Sequence, residues 1–146
     1  MREIKFRAMT KPPKDFGDFK FKSKMVYGTG VLQDPYNTWL IDNDNTKSLA
    51  VGTVKYVVKP ETIGQFTGLH DYKCTEAYKD DIVEDEDGIV GTVEHGSYVV
   101  TTPAYSIRIY GYYIMWIDGD SSTTPINSVS TCKIIGNTYE NSELIT

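Results

Sequence analysis

The chain has almost nothing with which to staple itself, chelate a metal or cross a membrane. Two cysteines, Cys74 and Cys132, are too few for a disulfide framework. No signal peptide follows Met1-Arg2-Glu3, so free thiols in an intracellular, cytoplasmic setting are the expectation. The two histidines, His70 and His95, lie far apart, and no close cysteine pair is available for zinc. No glycine-rich phosphate loop of the Walker or dinucleotide type occurs. The longest apolar run, 107–117, contains Arg108 and is too short to span a bilayer, so no transmembrane segment is expected. No cofactor is implied.

Alanine is scarce, and aromatic and β-branched residues are abundant: eleven Tyr, five Phe and two Trp, with many Thr and Val. That balance favours strands over helices. At 146 residues the chain is expected to be one domain with a sizeable core. Its net charge of −5 is unevenly spread. Residues 1–24 hold eight basic side chains, Arg2, Lys5, Arg7, Lys11, Lys14, Lys20, Lys22 and Lys24, against three acidic ones. The remainder has seven basic and seventeen acidic residues. A basic arm on an acidic body can steer towards phosphate or dock on the acidic surface of another copy. The acidic body argues against wrapping duplex DNA, which needs a broad cationic footprint.

Along the chain, residues 2–8 alternate, with Ile4, Phe6 and Ala8 expected inside and Glu3, Lys5 and Arg7 outside. Residues 11–24 form a long basic loop containing Pro12-Pro13 and three phenylalanines. Met25 to Leu32 reads as a strand with a bulge at its glycines, and Asp34-Pro35-Tyr36-Asn37 as a turn before the short strand 39–41. Residues 53–59 place Val54, Tyr56 and Val58 on one face, and Pro60 ends the strand. Asp87-Gly88 signals a hairpin. A second hairpin is expected at His95-Gly96, joining 91–94 to 97–101. The run 107–117, interrupted by Gly111, reads as a central strand. Residues 132–135 suggest a last strand, and Asn141-Ser142-Glu143 a terminal helical turn. Mainly β structure with little helix follows, as a single compact domain on a strongly bent sheet closing towards an SH3-like barrel.

The stretch 61–83 organises the rest. Gly64, Phe66 and Gly68 share one strand face, so a neighbouring backbone approaches closely there or the strand bends sharply. Asp71 is placed to form an Asx turn in the polar loop 70–76, and Tyr78-Lys79-Asp80-Asp81-Ile82-Val83 reads as a turn into a buried strand. The sequence Ile63-Gly64-Gln65-Phe66-Thr67-Gly68-Leu69 with Asp71, then Tyr78-Lys79-Asp80-Asp81-Ile82-Val83, resembles the signature of the YopX-like family of phage and prophage proteins. Residues 2–8 are similar to that family's opening strand. Lys133-Ile134-Ile135-Gly136-Asn137-Thr138-Tyr139-Glu140-Asn141-Ser142-Glu143-Leu144 is similar to its close. The resemblance therefore spans nearly the whole chain in three blocks, and it implies a bacterial host cell. It points to Gly64, Gln65, Thr67, Gly68, Leu69, Asp71, Tyr78, Asp81, Gly136, Asn137, Tyr139, Glu140 and Asn141 as family positions with structural roles. Two departures stand out: Asp80 replaces a usual glycine, and Tyr72-Lys73-Cys74-Thr75 replaces a glycine-containing tight turn. Asp tolerates the left-handed backbone better than most residues, so the Asp80 corner is expected to survive at about 1 kcal/mol of strain.

Three kinds of chemistry can be sought in these residues. The carboxylates Asp80, Asp81, Glu84, Asp85, Glu86 and Asp87 could ligate a hard cation in a metal-assisted hydrolase, but no calcium-loop spacing is completed, and solvated turns are the plainer reading. Asp42-Asn43-Asp44-Asn45 offers the same choice. Cys74 and His70 share a loop, but no third group orients them and no oxyanion hole accompanies them. The row Tyr110, Tyr112, Tyr113 and Trp116, like Trp39, reads as core filling, with an exposed stacking platform or interface as the alternative. The expectation is a non-catalytic binding module acting by protein–protein contact and self-association as a homo-oligomer. The alternative is a nucleic-acid-binding accessory protein. The candidate surface for binding is Arg2, Lys5, Arg7, Lys20, Lys22 and Tyr113.

Overall fold

The structure is a computed structural model that describes residues 3–12, 22–42, 54–117 and 122–146. It is mainly β, with three short 3₁₀ helices as the only helical elements among the described residues. The chain divides into two compact units, Met1–Gln65 and Phe66–Thr146.

The first unit contains β1 (Phe6–Met9), β2 (Met25–Gly28), β3 (Gly30–Gln33), β4 (Thr38–Asp42), β5 (Val54–Val58), a 3₁₀ turn at Pro60–Thr62 and the start of β6 (Gly64–His70). β1 pairs antiparallel with β2 on one side and with Gly64 and Gln65 of β6 on the other. The sheet that contains β1 curls by 184°, towards a half-barrel. β3, β4 and β5 form an antiparallel meander. Ala8, Val26, Leu40 and Val58 make the core, with Phe6, Tyr56 and Ile63 packed against it. Thr62 locks the corner: its Oγ1 accepts the Met9 N–H at 2.9 Å and donates to the Lys59 carbonyl at 2.7 Å.

Three expectations are corrected in this unit. Arg7 is 4 % exposed and Ile4 62 % exposed, the reverse of the simple alternation. The strand starts only at Phe6, and Arg7 lies between Tyr27 and Gly64 on strands to either side, so β1 is central instead of half-buried. The run 25–32 is two strands in two sheets, parted at Thr29, whose N–H reaches the Ile41 carbonyl at 2.8 Å. A Cβ on Gly28 would stand 2.5 Å from that same carbonyl oxygen, so glycine is required where the chain changes sheets. Trp39 is half-buried, not core: its indole N–H donates to Asp34 Oδ2 at 2.8 Å, and Lys55 Nζ lies 4.4 Å from the ring centre. Asp34 also accepts the N–H groups of Tyr36 and Asn37, which builds the expected turn.

The second unit contains the rest of β6, then β7 (Glu76–Tyr78), β8 (Asp81–Glu84), β9 (Val90–Thr101), β10 (Ser106–Trp116), β11 (Thr123–Pro125), a 3₁₀ helix at Ile126–Thr131, β12 (Lys133–Asn137) and a 3₁₀ turn at Ser142–Ile145. Its main sheet has the order β11-β10-β9-β8-β12, and β7 pairs with β6 across a register shift that contains Gly68 at φ 88°. That is the sharp bend expected from the glycine spacing. Ala77, Val83, Val93, Ile114, Trp116, Val129 and Cys132 form the core. The hairpin at 85–89 forms as expected: Asp85 Oδ1 accepts the N–H groups of Asp87 and Ile89, and Gly88 takes φ 81°.

The hairpin expected at His95-Gly96 does not exist. Residues 90–101 are one strand, paired in continuous register with β10 from Gly91↔Trp116 to Thr101↔Ser106. Gly96 faces Gly111 across the ladder. With a full-length partner alongside, staying extended satisfies every backbone group that a turn would have removed from the ladder.

Candidate functional site

The family positions of the second unit converge on one polar node where β7, β8 and β12 meet. Asp71 caps its own loop. Oδ1 accepts the N–H groups of Lys73 and Thr75, each at 2.9 Å, and Oδ2 accepts the Ile134 N–H at 2.9 Å. Burial works against its ionisation, but the three backbone donors, with Lys73 nearby, outweigh it and hold the pKa below the usual value. Cys74 sits in this loop at φ 66°, and the Asp71 hydrogen bonds hold the left-handed corner.

Asp81, buried, accepts the Tyr78 N–H through Oδ2 at 2.8 Å. Asp80 takes φ 71°, the left-handed corner expected of it. Its carboxylate receives the Tyr139 hydroxyl at 2.6 Å and pairs with Lys79 Nζ at 3.1 Å. Its backbone bonds to Val93 and Thr138. Asn137 Oδ1 accepts the N–H groups of Tyr139 and Glu140, and its Nδ2 donates to Glu140 Oε1. Asn141 Oδ1 accepts the Asn137 N–H at 3.2 Å. A Cβ on Gly136 would stand 2.5 Å from that Asn141 oxygen, so the glycine leaves room for the side chain that closes the turn. Thr67 Oγ1 donates to the Ala77 carbonyl at 2.8 Å, Tyr78 packs its ring 5.6 Å from Phe66, and Leu69 lies against the core. Gly64 is buried and Gln65 half-buried where β6 pairs with β1. Among the described residues no buried side-chain nitrogen or oxygen lacks a hydrogen-bond partner, and the node has the arrangement of a structural clasp.

The acidic run does not converge. Asp80 and Asp81 turn into the node, Asp85 folds back on its own turn, and Asp87 is exposed. No group of three or more His, Cys, Asp or Glu is positioned to hold a metal among the described residues. The loop 43–45 lies outside them. Glu84, Asp85 and Glu86 instead border a shallow cleft of about 420 Å³ with Tyr72, Ser130, Thr131 and Lys133. His70 is exposed, with its ring edge-on to Phe66 at 5.5 Å, and Cys74 is an exposed free thiol. Cys132 is free and buried, and burial pushes its pKa up, which keeps it an unreactive thiol.

Among the described residues, the candidate binding residues are not assembled into one surface. Arg7 is interior, and Lys5 pairs with Glu3 at 2.8 Å. Lys22 is exposed, while Arg2 and Lys20 lie outside the described residues. Tyr113 is half-buried with its ring on Tyr98, centroids 4.9 Å apart.

The aromatic row runs from core to solvent along one face of β10. Trp116 and Ile114 are buried, Tyr112 packs against the core edge, and Tyr110 is 75 % exposed. Core filling is therefore right for Trp116 and wrong for Tyr110. The reason is coverage: β8 reaches β9 only at 90–92, and β11 reaches β10 only at 113–115. Beyond those contacts β9 and β10 continue as a two-stranded ribbon carrying exposed Val99, Tyr105, Ile107 and Tyr110. His95 stacks against Tyr110 and Tyr112 at 5.2 and 4.5 Å. Sequence reasoning offers an exposed row only as the alternative to core filling and does not reveal the two-stranded ribbon that displays it. Its one signal is that 95–117 holds no carboxylate in a chain with twenty.

No helix among the described residues is long and apolar enough to cross a membrane. A search of curated proteins finds no match. A family model described as YopX protein matches residues 17–146, and the chain belongs to this YopX family of phage and prophage proteins.

Proposed function

We propose that the chain is a non-catalytic binding module that works by protein–protein contact and self-association in the bacterial host cytoplasm. It acts as a single module on a bent sheet that closes towards an SH3-like barrel. The observation that carries this reading is the ribbon beyond Glu94 and Tyr112, with exposed Tyr and aliphatic side chains and an exposed Arg108. Two-stranded hairpins are marginal alone in water, and interfaces are enriched in Tyr and Arg. Sedimentation velocity over a range of micromolar concentrations tests it: a reversible increase in mass is expected, and a strict monomer throughout would overturn it.

Nucleic-acid binding is the weaker reading, because interior Arg7, paired Lys5 and stacked Tyr113 form no continuous cationic, aromatic track among the described residues. Filter binding at low salt is expected to retain neither single strands nor duplex.

A further inference from the structure

We infer that the outer edge of β10 is a strand-pairing site for the same edge of a second copy of this chain, with a two-fold axis at Ile109. The inference rests on the self-association reading and supplies its geometry.

Backbone direction along β10 is set by two hydrogen bonds at its base. The Trp116 N–H points to Ser122 on the β11 side, and the Ile117 N–H points to Val90 on the β9 side. Directions alternate along a strand, and the β9–β10 register is unbroken. The even-numbered residues of β10 therefore direct their N–H and C=O groups outward. β11 takes up this edge only at 113–115, so among the described residues no strand lies outside Ser106, Arg108 and Tyr110. Proteins normally blunt such an edge with lysine, proline or a bulge. Here 106–110 has none of these, and Arg108 is its single charge.

The edge is complementary to itself. An antiparallel pairing about Ile109 sets Arg108 opposite Tyr110 of the mate, twice, with both backbones forming a full hydrogen-bonded pair each time. Arg108 and Tyr110 share a face, so a guanidinium lies beside a tyrosine ring across the seam. Ile109 meets Ile109 on the opposite face. Electrostatics favour this location: the protein carries −5 overall, but no carboxylate occurs from His95 to Ile117, so two acidic molecules approach here without setting carboxylate against carboxylate. The outer edge of β9 suits the role less well, because Gly96 at φ 152° interrupts its pleat.

Two measurements on the full chain test the pairing. Tyr110→Pro removes one outward N–H and leaves the β9 ladder intact. Sedimentation is expected to show association weakened by about tenfold or more, with circular dichroism unchanged. In a Cys74→Ser background, Ile109→Cys places two thiols across the axis on a non-hydrogen-bonded pair, with Cα atoms about 4.5 Å apart and within disulfide range. Under mild oxidation a covalent dimer is expected about tenfold faster than from Val99→Cys on the β9 edge. If the wild-type chain associates but Ile109→Cys cross-links no faster than Val99→Cys, or folded Tyr110→Pro associates normally, the edge assignment is wrong and self-association stands. A wild-type chain that remains monomeric overturns both.

Discussion

Two aspartates show how single residues hold the node together. Asp71 gathers three backbone donors, and Asp71→Asn replaces one acceptor oxygen with a donor facing another donor. A loss of about 1–3 kcal/mol is expected, measurable by urea unfolding at pH 7. The pH dependence follows from the depressed pKa. Asp71 contributes fully above its unfolded value near 3.8, and the contribution is lost as pH falls below that through the folded value. The stability gap between wild type and Asp71→Asn should therefore be constant from pH 7 to 5 and shrink progressively as pH falls below 3.8; a gap unchanged in acid would refute the assignment. At Asp80, glycine would relieve strain of about 1 kcal/mol. The same change removes the Tyr139 hydroxyl's charged acceptor, worth about 1.5–3 kcal/mol. Asp80→Gly is expected to destabilise the wild type and to be neutral or stabilising in a Tyr139→Phe background. A double-mutant cycle with no coupling would show that the 2.6 Å contact carries no weight.

At the scale of elements, β10 shows why burial has to be argued residue by residue. Ile114 is fully buried and Ile107 about half exposed on the same strand. Ile114→Ala should cost about 2–5 kcal/mol, and Ile107→Ala no more than about 0.5 kcal/mol in the monomer. Equal losses would mean that the ribbon is packed in solution. Local patterning located most strands: the Asp87-Gly88 hairpin, the buried strand after Asp80, the strand before Pro60 and the final 3₁₀ turn all appear where residue chemistry places them. It failed at His95-Gly96 and at Arg7. A glycine beside a polar residue can serve a turn or a twisted ladder, and one strand's alternation cannot reveal how many neighbours flank it.

For the whole molecule, net charge opposes assembly at neutral pH. The sequence pI is about 5.0. Association measured by sedimentation is therefore expected to strengthen as pH falls from 7 towards 5, and weakening over that range would count against assembly through a carboxylate-free surface. The amino-acid sequence alone settled the β class, the turn chemistry of Asp71, the left-handed corner at Asp80 and the family. Each of these depends on local backbone preference or on residues close together in the chain. Tertiary structure alone decided that the family positions interlock as a clasp, that Arg7 lies inside, and that Tyr110 is displayed while Trp116 is buried. Those outcomes depend on which strands lie alongside and where they stop, and that is set by pairing between segments far apart in sequence.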